Sequence, residues 1–172
     1  MQLTFITTIV MSIISTITAN YNILAFSGAG SFGSVEIGIL NKLSDSNSIV
    51  KKYDLYTGIS AGGLNAGFLS HFTSVQEALP SIKKIMMRLT NRYVFQLEPR
   101  TNTSLLNTAP LERTIESTIK SLGSSKVQTL IGTTNLNTGY LDTFYYNTLE
   151  LSDQIKLLMA TSAIPLIFPP VS

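Results

Sequence analysis

The sequence predicts an α/β domain, and three observations carry that prediction. Short apolar runs of strand length alternate along the chain with longer segments of helical periodicity. Two of those runs end in glycine turns, at Ser27-Gly28 and Thr57-Gly58, and each turn opens straight into a helical segment. The length of 172 residues fits one domain that buries roughly two-thirds of its unfolded surface, so neither a metal nor a disulfide is needed as a staple. No internal repeat, low-complexity tract or second domain is visible.

Residues 1–19 carry an apolar stretch from Phe5 to Ile17 and close at Thr18-Ala19. This fits a secretory signal peptide cut before Asn20, although Lys and Arg are missing from its start and Ser and Thr interrupt it; the other reading is a first strand with a frayed extension. It is too short for a spanning helix of about 20 apolar residues. With a signal peptide the protein would be secreted or lumenal, and Asn102-Thr103-Ser104 becomes a candidate glycosylation site. Without one it would be cytoplasmic with membrane association. The domain itself is expected over residues 20–172.

Asn22 to Phe26 reads as a buried strand, and Val35, Ile37, Ile39, Leu40 and Leu43 mark a helix beyond Gly33. A polar loop, Ser44 to Ser48, leads to a second strand, Tyr53 to Thr57. Ala61 to His71 is expected to be helical despite Gly62, Gly63 and Gly67, a composition tolerable only where close packing demands it. Ser74 to Arg92 looks like an amphipathic helix kinked or broken at Pro80, and Val94 to Thr108 looks irregular. Pro110 starts a helix that Gly123 stops. Val127 to Thr133 and Tyr140 to Tyr146 are strands joined by the turn Asn135 to Gly139. Ser152 is expected to cap a last helix through Ala160, with Asp153 in its first turn.

Two motifs carry chemistry. Gly58-Ile59-Ser60-Ala61-Gly62 has the form of a nucleophile elbow, a sharp strand-to-helix turn that lifts a serine oxygen clear of the backbone. Gly28-Ala29-Gly30-Ser31-Phe32-Gly33 can present free N–H groups at a helix N-terminus, which suits an oxyanion. A serine that attacks and a cradle for the resulting charge are the two halves of acyl transfer. The first loop also has the form of a dinucleotide fingerprint, with Asp54 near the required distance. That reading leaves the elbow unexplained and puts Asp54 before a strand instead of after one, so no nucleotide is expected.

These residues resemble the patatin-like phospholipase family of lipid acyl hydrolases. The glycine loop is similar to that family's oxyanion motif, and Gly58 to Gly62 to its serine elbow. Ala160-Thr161-Ser162-Ala163-Ile164-Pro165 through Phe168-Pro169-Pro170 resembles the segment before its Asp-Gly-Gly/Ala motif. The resemblance spans about residues 22–172 and implies a three-layer sandwich, a mostly parallel central sheet with helices on both faces, with the C-terminal part missing from this chain. It implies Ser60 as catalytic nucleophile, an oxyanion hole built from Gly28, Ala29, Gly30, Ser31 and Gly33, and an elbow formed by Gly58, Ile59, Ala61 and Gly62. The family pairs its serine with an aspartate, without histidine, metal or other cofactor. None of Asp45, Asp54, Asp142 and Asp153 is followed by Gly or holds the family position, and Phe32 stands where many members carry Arg or Lys.

The resemblance therefore implies a lipid acyl hydrolase of the phospholipase A or esterase type acting at a membrane or micelle interface. Its alternative is a catalytically impaired lipid-binding module, because the dyad aspartate is absent here. His71, the one histidine, lies about 16 Å along the helix from Ser60, so a structural or solvated role is expected and no triad. Asp142 is the best substitute base in the chain, yet its strand position suits a solvent-facing residue. Phe68-Leu69 and Ile85-Met86-Met87 read as core more readily than as an acyl-chain pocket. Charged residues make up 13%, about half the usual share near 25%, so the surface should be rich in Ser, Thr and Asn. A net charge of +2 with no basic run gives nucleic-acid binding no support. The absence of cysteine excludes a thiol nucleophile and thiolate zinc. Oligomeric state is not legible.

Overall fold

The computed structural model describes residues 14–16, 19–46, 48–50, 52–97 and 104–172. Strands β1 (Ile14–Thr16) and β2 (Ala19–Tyr21) form an antiparallel pair. Most of the apolar leader on which the signal-peptide reading falls, together with Asn102 and Thr103, lies outside the described residues. The chain continues through β3 (Ile23–Phe26), α1 (Gly33–Asp45), β4 (Leu55–Ile59) and α2 (Ala61–Leu69). Next come α3 (Val75–Arg88), α4 (Asn91–Val94), β5 (Gln96–Leu97), β6 (Leu106–Asn107) and α5 (Ala109–Leu122). It ends with β7 (Gln128–Thr134), β8 (Leu141–Tyr145) and α6 (Leu151–Ser162).

The central sheet has the order β3-β4-β7-β8, with the first three strands parallel and β8 antiparallel at one edge. This is the mixed α/β architecture expected, a mostly parallel sheet flanked by helices. The register places Leu24, Tyr56 and Thr129 in one row and Phe26, Gly58 and Ile131 in the next. All six are buried, and α2 packs on this face. Leu55, Thr57 and Leu130, which alternate with them, are only half-buried. The sheet is therefore sealed most tightly on the face that carries α2.

α2 explains its own composition. A Cβ at Gly62 would run into the carbonyls of Ser27 and Phe26, and one at Gly63 would lie 2.8 Å from Thr161 Cγ2. The helix has poor intrinsic propensity because small residues let it press against both the β3 turn and α6. It stops at Leu69, two residues short of the predicted His71. Ser70 there turns its carbonyl to the amides of Lys126 and Val127 (2.7 and 3.1 Å), which lead into β7.

Other boundaries also differ from the sequence reading. α3 ends at Arg88 and runs through Pro80 without breaking; the one bond forfeited there is to the carbonyl of Gln76. α4 forms a separate short helix across the end of the predicted one, and the segment read as irregular, Val94 to Thr108, contains the short antiparallel pair β5–β6. The N-cap of α6 is Glu150 instead of Ser152, which lies inside the first turn. β8 leaves Leu141, Phe144 and Tyr145 exposed along a sheet edge, as a two-sided strand without a covering layer must.

His71 is fully buried. Nδ1 lies 2.6 Å from the Gly123 carbonyl, to which it must donate, so Nε2 accepts from the Tyr146 hydroxyl at 3.0 Å. Burial strips hydration from the imidazolium and holds the pKa below its usual 6.5, the backbone carbonyls of Gly123 and Ser124 opposing this only partly. The unfolded chain therefore takes up this proton more readily than the folded one. Stability is full above pH 6.5 and falls as pH drops below it. Denaturant unfolding at pH 7.5 and 5.5 is expected to show that loss, and His71→Gln is expected to flatten it.

Candidate active site

The site is built where β3 and β4 end side by side. β4 delivers Ser60 into a backbone conformation of φ 57° and ψ −129°, a left-handed region that costs a non-glycine residue about 1–3 kcal/mol. Such a φ is what a strand must adopt to reverse into a helix within one residue. Gly58 permits it, because a Cβ there would strike the carbonyl of Gly62 one turn into α2. Ser60 is half-buried and is not turned into the core.

What holds the strained residue in place comes from a distant part of the chain. The Ser60 amide donates to Thr161 Oγ1 at 2.8 Å, and the Thr161 hydroxyl donates on to the Gly132 carbonyl at 2.6 Å. Thr161 thus pins the elbow to β7 from α6. Sequence reasoning missed this role: Thr161 sits among small residues in Ala160-Thr161-Ser162-Ala163, and no local pattern distinguishes its hydroxyl. The Ser60 carbonyl accepts from Leu64 at 3.2 Å, so α2 begins at once.

The glycine loop lies against this serine. A Cβ built on Gly28 would be 3.6 Å from Ser60 Cβ, and one on Gly33 would be 3.0 Å from Ala61 Cβ. Among the described residues, the amides of Gly28, Ala29, Gly30 and Ser31 donate to no protein group. The first consumed in the turn is that of Phe32, to the Ala29 carbonyl at 2.9 Å. Phe32 itself points to solvent. Gly30, where the short 3-10 turn over Gly30–Phe32 begins, has φ 53°, a conformation that favours glycine.

Ser60, Ala61, Gly30, Ser31 and Gly33 border one cavity of about 240 Å³, whose other walls are mainly apolar. Met86 of α3, Leu89 just after it, Phe95, Leu111, Ile164 and Phe168 supply them. Met86 therefore faces the cavity, whereas Phe68 and Leu69 are core and Met87 is exposed. The tail residues Ile164 and Phe168 reach it because the chain after α6 folds back. The carbonyls of Leu166 and Ile167 accept from Leu105 and Leu106, and Phe168 packs on Phe95 with ring centroids 6.3 Å apart.

No Asp, Glu or His is among the described residues that line this cavity. Asp54 lies at the opposite end of the strands, where it accepts from the Asn22 amide (2.9 Å) just before β4, and this does not suit the ribose of a dinucleotide. Asp142 is half-buried on β8, accepts from Asn135 Nδ2 (2.9 Å) and borders, with Asp153, a separate open groove of about 1010 Å³. Asp45 ends α1 and accepts from Asn41 (3.1 Å). The described residues contain no cluster of three acidic or histidine side chains placed for a metal, and no helix among them is long and apolar enough to cross a membrane.

One carboxylate does lie behind the loop. Glu36 on α1 is 5% exposed; Oε1 accepts from the Ser27 amide (3.1 Å) and hydroxyl (3.0 Å), and Oε2 accepts from Asn65 Nδ2 (2.9 Å). The same Asn65 nitrogen donates to the Gly33 carbonyl at 3.0 Å. Asn65 Oδ1 is buried without a partner. Flipping the amide would set that oxygen against two acceptors, so the orientation is fixed at the cost of one orphaned oxygen, about 1–3 kcal/mol.

A family comparison adds to this geometry. The sequence model described as patatin-like phospholipase matches residues 24–172. The chain belongs to the patatin-like phospholipase family. Membership covers both glycine motifs, the apolar cavity and the tail that closes it, and places the chain in a family of lipid hydrolases. No curated protein matches this patatin-like chain.

Proposed function

We propose that the protein is a lipid acyl hydrolase of the phospholipase A or esterase type in which Ser60 is the nucleophile. The observation that carries the reading is the convergence of a strained, half-buried serine and a run of unconsumed amides on one apolar cavity. An acyl chain would lie along Met86, Leu89, Phe95, Leu111 and Phe168, bringing its ester carbonyl to Ser60. Ser60 Oγ attacks the carbonyl carbon and gives its proton to a base; the family resemblance implies an aspartate in that role, which none of Asp45, Asp54, Asp142 and Asp153 fills at this cavity. The oxyanion that forms is held by amides drawn from Gly28 to Ser31, each worth about 2.7–4 kcal/mol in the transition state. Collapse releases the alcohol, and water then frees the fatty acid from the acyl-enzyme. The substrate is taken from a lipid surface.

A second reading rests on a specific observation, the lack of any Asp, Glu or His along the cavity. A serine with its cradle but no base would hold acyl groups without turning them over. One experiment separates the two. Medium-chain p-nitrophenyl esters are incubated with the protein and with Ser60→Ala, and phenolate release is followed past one equivalent. Sustained release that Ser60→Ala abolishes, by at least about a thousandfold, is expected for the hydrolase. Release that stops at one equivalent indicates the binding module, and release unaffected by Ser60→Ala removes both readings.

A further inference from the structure

We propose that Glu36 is a positioning residue for the oxyanion loop: its carboxylate holds the Phe26–Ser27 peptide N–H and the Ser27 hydroxyl, so fixing the residue that leads into Gly28, and ties it through Asn65 to the helix that Ser60 caps. The inference rests on the acyl-transfer reading and adds to it a residue that never touches substrate.

Glu36 meets three donors and no cation among the described residues. Two of them belong to Ser27, the residue immediately before Gly28, whose own amide is the first free one of the cradle. The third is Asn65, on α2 and at the wall of the Ser60 cavity. Glu36 thus links the two halves of the site, the loop and the elbow helix, from behind. A buried carboxylate without a counter-ion costs more than an aliphatic side chain of the same volume would, so packing alone does not account for it. Its acceptor-only character does. Ser27 N–H, Ser27 Oγ–H and Asn65 Nδ2–H are all donors, and only a carboxylate can receive from all of them with both oxygens.

Glutamine in the same place must present its amide to one side. Directed at Asn65, that NH₂ meets another donor; directed at Ser27, it meets the backbone N–H. Either way one tie is lost, Ser27 is held less firmly against α1, and the Gly28 amide that follows it shifts off the oxyanion. Aspartate keeps the charge but is one methylene too short to reach both partners.

The test follows modification of Ser60 by an alkyl fluorophosphonate, whose phosphoryl oxygen occupies the oxyanion position. It separates the reversible binding constant from the rate constant of the bond-forming step. Glu36→Gln and Glu36→Asp are each expected to lower the bond-forming rate constant by about tenfold to a hundredfold. Binding is expected to stay within about twofold, with a retained thermal transition, because the apolar walls are untouched. A merely structural role would move the melting temperature or both constants together. Should Glu36→Gln not fold, Glu36→Asp carries the measurement alone. A folded variant with an unchanged or faster bond-forming step overturns the role of Glu36 while leaving Ser60 as nucleophile. No labelling of the wild-type protein overturns the acyl-transfer reading itself, and the role of Glu36 with it.

Discussion

Thr161→Val is expected to lower both stability and reactivity, although the residue lies in neither glycine motif. Valine keeps the shape of threonine but offers neither an acceptor to the Ser60 amide nor a donor to the Gly132 carbonyl. Two backbone groups at the strand ends lose their partner, each at about 1–3 kcal/mol. The total loss should be about 3 kcal/mol, a fall of roughly 6–12 °C in melting temperature for a chain of this size. The second consequence is the more telling. The φ of 57° at Ser60 persists because its surroundings over-determine it, and Thr161 is the tie that reaches it from outside the elbow. With the tie gone, a misplacement on the order of 1 Å would slow fluorophosphonate modification by about a hundredfold. Calorimetry and labelling kinetics on the same preparation check both parts. A variant that melts lower but labels at the wild-type rate would show that the strain is held by the elbow alone.

Gly62→Ala is expected to be more damaging than its one added carbon suggests. The new Cβ would meet the carbonyl of Ser27 and lie 2.7 Å from that of Phe26, so relief requires backbone to move. α2 would have to withdraw from the end of β3, which is the distance that keeps Gly28 beside Ser60. Overpacking of this kind costs 1–3 kcal/mol when side chains can yield, and a value above about 3 kcal/mol is expected here because they cannot. Gly67→Ala is the matched control. Its Cβ would lie 2.8 Å from Leu158 Cδ2, the mobile end of a flexible side chain, and the gain in helix propensity of about 1 kcal/mol works in its favour. Chemical denaturation should find Gly67→Ala within about 1 kcal/mol of the parent and Gly62→Ala well below it. Equal losses would mean that α2 sits less tightly on the β3 turn than described.

The contrast between those two glycines indicates what was legible in the sequence and why. The strands, the order of the elements, the elbow at Ser60 and the glycine loop follow from local pattern: apolar runs, turn residues and small-residue spacing. Local signals also misplaced some ends. Pro80 reads as a kink or a break, and α3 passes through it without breaking, at the loss of a single bond. Ser152 looks like a cap because it is a serine before a helix, but the chain enters helical geometry two residues earlier, after Glu150. His71 could have been solvated as far as spacing shows; only the approach of Gly123 and Tyr146 buries it. The ties that shape the site, Thr161 to Ser60 and Glu36 to Ser27 and Asn65, include partners as much as 101 residues apart. No periodicity carries such a pairing. A glutamate on the inward face of a helix that follows a glycine loop was the available sign, and it was not read.

Of the several serines that border the cavity, Ser60 is proposed as the reactive one. Ser31, Ser34 and Ser162 border the same space as Ser60. The most direct measurement is to treat the protein with an alkyl fluorophosphonate, digest it and locate the adduct by mass spectrometry. A single adduct on the peptide containing Ser60, blocked by prior incubation with a medium-chain fatty acid, is the result predicted. An adduct on Ser31, Ser34 or Ser162, or none after prolonged exposure, would contradict the account.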